Sequence, residues 1–305
     1  MELNDYQKEA LQTDKVPLHD KEMERNDIEK GIIVPLLGLA GEAGELLSEY
    51  KKYLRDGSSH QLFTDRVSEE LGDLLWYIAD VAAKFGFDLD DIAVANLEKC
   101  RDRWGASESE IKIRELTEEK YAFDAKFPPH ERLPRKFQVE IVEEKTGEVG
   151  KMKAYVDGQQ VGDDLTDNAY SSDGYRFHDV FHFAFAAVLS WSPVTRKLLG
   201  CKRKSDPLVD EVEDGGRARA IEEGIAALVF DYAQRHNFLV GIEELDDNLL
   251  KTIKNMATHL EISDCSMVDW EKAIFQAIMV WREVQKNKGG TLIVNLDAKL
   301  IQYRQ

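Results

Sequence analysis

Two short runs of the chain carry the groups best suited to chemistry. Gly41-Glu42-Ala43-Gly44-Glu45 and Glu69-Glu70-Leu71-Gly72-Asp73 each set two acids three residues apart, Glu42 with Glu45 and Glu70 with Asp73. On a helix that spacing puts both side chains on one face, with Cβ atoms about 5–6 Å apart. The neighbours are apolar: Leu36, Leu37, Leu39, Leu46 and Leu47 beside the first pair, and Leu71, Leu74, Leu75 and Trp76 beside the second. Like charges held close and partly stripped of water repel, so their pKa rises unless something positive neutralises them. Mg2+ suits them, because it takes hard oxygen ligands and keeps some of its own water, and Mn2+ is a substitute of similar taste. A single such pair more often lies on a solvated helix face. Gly41, Ala43, Gly44 and Gly72 weigh the other way. Glycine costs an exposed helix up to about 1 kcal/mol relative to alanine, and it makes sense where helices approach closely or a ligand must reach the acids.

The elements that would position these acids follow from the spacing of apolar residues. Residues 1–105 read as helical throughout, with a short helix near Asn4 and Asp5 and a long one over 27–55 that stops at Asp56-Gly57. A third starts after Thr64 and ends at Gly86, and a fourth opens at Asp88, with Asp91 three residues on, and continues to Trp104. Short links make them antiparallel neighbours, as in a four-helix bundle. Pro128, Pro129 and Pro134 mark a linker over 106–135. A second domain, 136–305, then begins with a small β-hairpin sheet, where Phe137, Val139 and Ile141 alternate with polar residues and Met152–Val156 runs into Asp157-Gly158. Helical patterning returns over 174–191, 216–236, 247–260 and 267–287, and Thr291–Leu296 reads as a strand. The fold class expected is mainly α, a four-helix bundle followed by an α+β domain.

Composition narrows the function. The chain has 305 residues and a net charge of −18, which argues against a general grip on nucleic acid or anionic lipid. Cys100, Cys201 and Cys265 are too scattered for a zinc knuckle or a disulfide framework. The N-terminus has no apolar signal core, and the apolar run Ile32–Ala40 is broken by Pro35. A soluble, cytoplasmic protein is expected, with no membrane partner. A di-iron carboxylate oxidase would need Glu-x-x-His on its metal helices, and neither acidic pair contains histidine.

At these residues a family resemblance emerges. GLAGEAGELL, EELGDLLWYIADVA and ANLEKCRDRW, with the opening LNDYQKEALQT, resemble the MazG-type all-α nucleoside triphosphate pyrophosphohydrolases over about residues 3–105. The family pattern is EExxE, a spacer, then ExxD, and here Gly41 stands in place of the first Glu. The resemblance implies cleavage between the α- and β-phosphates of a nucleoside triphosphate, with Mg2+ held by Glu42, Glu45, Glu70 and Asp73, and Glu42 or Glu45 as general base. It further implies phosphate contacts from Asn96, Lys99 and Arg103, which share a helix face, and from Tyr77, one turn after Asp73. Lys51 and Lys52 are weaker candidates, while Trp76 and Trp104 read as core. Relatives dimerise or form tetramers, so a homodimer covering exposed apolar surface is expected. The function implied is control of a nucleotide pool, by housecleaning or in a stress or phage response. The alternative is a nucleotide-sensing regulator whose second domain recruits a partner or carries a second metal site.

In that second domain His178-Asp179-Val180-Phe181-His182 places two histidines one turn apart, and Glu222-Glu223 follows forty residues later. HDxxH is similar to the metallopeptidase HExxH with a shortened acid. The run supports two readings: a second metal or ligand site of His178, His182, Glu222 and Glu223, or a hydrogen-bonded pair on a core helix. Glu222–Phe230 also follows the rhythm of Glu69–Tyr77, as a diverged copy of the bundle would. Lys202-Arg203-Lys204 reads as a solvated loop.

Overall fold

The computed structural model describes residues 1–15, 25–105, 123–146 and 149–305. They form two compact units, Met1–Cys100 and Arg101–Gln305.

The first unit is helical: α1 (Leu3–Ala10), α2 (Arg25–Asp56), α3 (Phe63–Lys84) and α4 (Leu89–Trp104), the last of which runs into the second unit. α2 packs along α3, and α1 lies on α3. The Trp76 indole N–H reaches the Ala10 carbonyl (3.2 Å) and the Thr13 hydroxyl (2.8 Å), fixing the end of α1. Gly86, with φ +75°, ends α3 as its position suggests. The start of α4 differs from expectation. Its Leu89 and Asp90 amides are capped by Gln7 Oε1 (3.1 Å) and Asn4 Oδ1 (3.0 Å) from α1.

Apolar closure of this unit is incomplete. Ala10, Ala79, Ala82 and Leu89 are buried with Tyr6 and Trp76 against them, whereas Leu37, Leu47 and Leu54 on α2 are 67%, 71% and 68% exposed. Trp104, expected in a core, is 70% exposed. The expectation of no spanning segment also needs amending. Gly31–Ser59, almost all of it in α2, is long and apolar enough by length and composition to cross a membrane. The same stretch carries Glu42, Glu45 and Glu49 and packs on α3, as a helix of a bundle does.

The second unit has a five-stranded antiparallel sheet of order β3-β2-β1-β4-β5, from β1 (Lys136–Thr146), β2 (Val149–Val156), β3 (Gln159–Leu165), β4 (Gly289–Asn295) and β5 (Leu300–Arg304). The alternation at Val139 and Ile141 points one face inward, where Met152, Ala154, Leu292, Val294 and Ile301 join it. Glycine is required where β4 meets β1, because a Cβ on Gly289 (φ +140°) would stand 2.5 Å from the Ile141 carbonyl oxygen.

Against the sheet lie α5 (Asp179–Leu189), buried along its length, and α10 (Met267–Asn287), which starts with a Ser266/Asp269 capping box. α6 (Pro193–Leu198), α7 (Pro207–Val212), α8 (Gly216–Arg235) and α9 (Asp247–Met256) complete the unit. It is an α+β unit, so Glu222–Phe230 belongs to α8 of a different architecture and not to a second bundle.

Residues 123–135, expected as the end of a linker, are part of this unit. Asp124, Phe127, Glu131 and Leu133 are buried. The remainder of that linker, 106–122, lies outside the described residues. Asp124 accepts hydrogen bonds from Arg196 Nη2 (2.8 Å) and the Leu133 amide (2.8 Å) and pairs with Arg135. Burial alone would raise its pKa, but these partners hold it below the ordinary value. Arg203 is likewise 1% exposed, so the basic run is no solvated loop. Its guanidinium donates to Asp214 Oδ1 (2.7 Å), Glu261 Oε1 (2.6 Å) and the Phe123 carbonyl (3.1 Å). The cost of burial is outweighed by these bonds, which keep its pKa above normal.

Candidate functional site

α2 and α3 bring the two acidic runs together. Glu42, Glu70 and Asp73 each offer a carboxylate oxygen within 4.8 Å of the other two. Glu70 is held above the usual carboxylate pKa, first by partial loss of water and then by the charges of Glu42, Glu45, Asp73 and Glu69. Glu45 therefore acts on Glu70 through its charge, although it is not one of the three converging acids. Hard oxygen donors that repel one another are a donor set that fits Mg2+ or Mn2+.

The small residues divide into two kinds. Cβ atoms built on Gly41, Gly44 and Gly72 would meet nothing within 4 Å, so these glycines mark open space beside the acids and not a close helix crossing. At Gly38 the helices do meet, because a Cβ there would lie 2.2 Å from the Tyr77 ring. Tyr77 thus rests on α2 one turn before Glu42, edge-on to Trp76. Gly38→Ala is expected to displace that ring at a net cost of about 1–2 kcal/mol, overpacking exceeding the gain in helix propensity. Thermal denaturation of the variant checks this, and an unchanged melting temperature would mean that Tyr77 does not sit there.

The remaining candidates are placed unequally. Asn96 and Lys99 stand exposed on α4, and Asn96 Oδ1 accepts only a weak bond from Cys100 Sγ (3.8 Å). Among the described residues no hydrogen bond or ion pair joins either to the three acids. Lys51 is exposed, while the ammonium of Lys52 is paired with Glu49. Arg103 is also engaged elsewhere. It groups with the second unit, donates to the Leu245 carbonyl (3.0 Å) and faces Asp247 (3.5 Å) and Glu271 (3.8 Å).

Glu49 was missed by sequence reasoning. It is 3% exposed, pairs with Lys52, lies 3.0 Å from His60 Nε2 and 4.0 Å from Arg66 Nε, and is held below its ordinary pKa chiefly by the Lys52 hydrogen bond. Its place seven residues after Glu42, on the same helix face, was the available signal.

The second unit holds a separate cluster. His178, Asp179 and His182 each offer a ligand atom within 4.8 Å of the others, and all three are buried. His178 stacks on Tyr175 (4.4 Å, 8°), and its Nδ1 donates to the Tyr175 carbonyl (2.9 Å). Burial and the charges of Glu223, Asp179 and Asp173 push the Tyr175 phenol up to about 12.

His182 Nδ1 lies 2.9 Å from Glu222 Oε1. Glu222 is fully buried and also accepts from the Ser192 hydroxyl (2.6 Å) and the Val194 amide (2.8 Å), so its carboxylate faces away from the histidine Nε2 atoms. Glu223 is the acid on that other side, with Oε2 3.3 Å from His182 Nε2 and 3.5 Å from His178 Nε2. The expected pair Glu222 and Glu223 is thus split between two roles, and Asp179 joins the set.

The architecture is thus a helical unit with converging acids followed by an α+β unit. Residues 35–105 match the sequence model of the MazG nucleotide pyrophosphohydrolase domain, and residues 118–305 match that of the MazG C-terminal domain. The chain belongs to the MazG family. Over 76 residues it is 38% identical to the Gene 37 protein of Mycobacterium phage L5, covering 24% of this chain and 67% of that protein. No solved structure matches the chain. The second unit accordingly corresponds to this family's own C-terminal domain.

Proposed function

We propose that the protein is a Mg2+-dependent nucleoside triphosphate pyrophosphohydrolase that yields a nucleoside monophosphate and pyrophosphate. The observation that carries this reading is the convergence of Glu42, Glu70 and Asp73 within a MazG nucleotide pyrophosphohydrolase domain. Mg2+ held by these acids with Glu45, or Mn2+ in its place, would neutralise the triphosphate and lower the pKa of a nearby water. Glu42 or Glu45 takes the proton of that water as its oxygen attacks the α-phosphorus, and the bond from the α-phosphorus to the bridging oxygen breaks as pyrophosphate leaves. The acids titrate as a group, so the base is a property of the cluster. Asn96 and Lys99 donate to phosphate oxygens away from the carboxylates, with Tyr77 as a further contact.

The exposed leucines of α2 support a homodimer that covers them. The setting is cytoplasmic, and the role is removal of surplus or non-standard nucleotides or lowering of a pool under stress or phage attack.

The Lys99→Ala variant tests the phosphate contact. A charge-assisted hydrogen bond of this kind is worth about 1.5–3 kcal/mol, so kcat/KM should fall about ten- to hundredfold while the Mg2+ dependence stays as in wild type. Unchanged kinetics would return Lys99 to a solvated helix face.

A further inference from the structure

We propose that the C-terminal unit binds a divalent first-row transition metal, of the Zn2+ or Mn2+ kind, between His178 Nε2, His182 Nε2 and the carboxylates of Asp179 and Glu223. The site lies wholly within the second unit and is independent of the pyrophosphohydrolase reading.

Hydrogen bonding fixes which ring nitrogens face it. The Tyr175 carbonyl can only accept, so His178 Nδ1 carries a proton. Glu222 already accepts from the Ser192 hydroxyl and the Val194 amide, and it accepts from His182 Nδ1 as well. With both Nδ1 atoms donating, the nitrogen of each ring left to face a cation is Nε2. A histidine whose far N–H is held by a carbonyl or a carboxylate is the outer-shell arrangement found around metal ligands.

His178, Asp179 and His182 each offer a ligand atom within 4.8 Å of the others, and Glu223 lies beside the two histidines. Glu223 Oε2 stands 3.3 Å from His182 Nε2 and 3.5 Å from His178 Nε2, and Asp179 Oδ1 stands 3.8 Å from His178 Nε2. Ligands bound at about 2.0–2.2 Å in a tetrahedron lie roughly 3.3–3.6 Å from one another. His182 supplies an independent sign. The residue is fully buried, yet among the described residues its Nε2 makes no well-formed hydrogen bond, with Glu223 Oε2 3.3 Å away as an ion-pair contact. An orphaned buried nitrogen beside three other candidate ligands is accounted for by an ion.

Access and selectivity follow from the same residues. The Glu223 side chain is 47% exposed and that of His182 is 0%, so an ion enters on the Glu223 side. Two imidazoles with two carboxylates favour borderline cations such as Zn2+ or Mn2+ over Mg2+, the reverse of the all-oxygen set in the first unit.

The test uses the full chain carrying Glu70→Gln, which weakens the carboxylate site of the first unit. After EDTA treatment and dialysis it is titrated with Zn2+ and with Mn2+, and bound metal is counted by elemental analysis. One equivalent is expected to remain bound. Adding Glu223→Gln or His178→Ala should weaken binding by about a hundredfold or more, since even outer-shell partners cost tenfold to hundredfold. Co2+ should give visible absorption bands that change in both variants, a signal that a purely structural role would not move. Glu223 is partly at the surface, so its variant decides the matter if His178→Ala fails to fold. A folded chain that takes up neither metal overturns the proposal and leaves a buried histidine–carboxylate ion pair. Uptake unaffected by Glu223→Gln overturns it equally.

Discussion

Glu70→Gln is expected to lose more than nine-tenths of wild-type activity, at least about 1.4 kcal/mol in barrier, while the metal-free chain melts at the same temperature or higher. The two effects share one cause. In the metal-free chain Glu70 is raised in pKa by loss of water and by Glu42, Glu45, Asp73 and Glu69, so its ionised form is opposed by its surroundings. An amide removes that repulsion and also removes a ligand. The sign of the pH dependence follows: the folded state holds the Glu70 proton more tightly than the unfolded state does. Its contribution to metal-free stability is therefore present at low pH and is lost as pH rises above the ordinary glutamate value of 4.5. Melting curves in EDTA across pH 4–7 should show a shallower decline in Glu70→Gln than in wild type. A variant with more than a tenth of wild-type turnover would remove Glu70 from the site.

The second large effect concerns folding. Arg203→Met is expected to destabilise the C-terminal unit by about 3–5 kcal/mol, because Asp214, fully buried, and Glu261 lose a shared cation. For a unit of this size that lowers the melting temperature by roughly 6–20 °C. Arg196 does not compensate, since its guanidinium is committed to Asp124 (2.8 Å), with Asp214 farther off (3.7 Å). Calorimetry or denaturant titration followed by circular dichroism measures the loss. A change under about 1 kcal/mol would place Arg203 at the surface, as the basic run Lys202-Arg203-Lys204 first suggests.

Much of this was legible where local rules operate. Acids three residues apart on apolar helices and a glycine after α3 are short-range signals, and the helices they mark are present. The helical first part and the α+β second part follow from the change of apolar period after Gly105. What local rules could not supply was long-range partnership. β5 has only five residues, too few to carry a strand signal of its own, and is defined by its pairing with β4. Arg203 looks solvated in sequence because Asp214 and Glu261, which bury it, lie 11 and 58 residues away. Glu222 and Glu223 are adjacent, yet the helical rotation of about 100° between them sends one to Ser192 and the other to the histidine Nε2 atoms.

The first unit asks for something beyond its own residues, given the exposed leucines of α2 and the open space beside Gly41, Gly44 and Gly72. A partner copy would meet the first need and a bound nucleotide the second. Both concern the helical half of the chain, whereas the histidine cluster belongs to the other half and has a different donor set.

Cleavage between the α- and β-phosphates leaves its mark in the products. The purified full chain is incubated with Mg2+ and a panel of ribo- and deoxyribonucleoside triphosphates in 18O-labelled water, and the products are separated and weighed by mass spectrometry. Monophosphate and pyrophosphate are expected in equal amounts, with EDTA abolishing turnover. Nucleoside diphosphate with inorganic phosphate as the first products would contradict it.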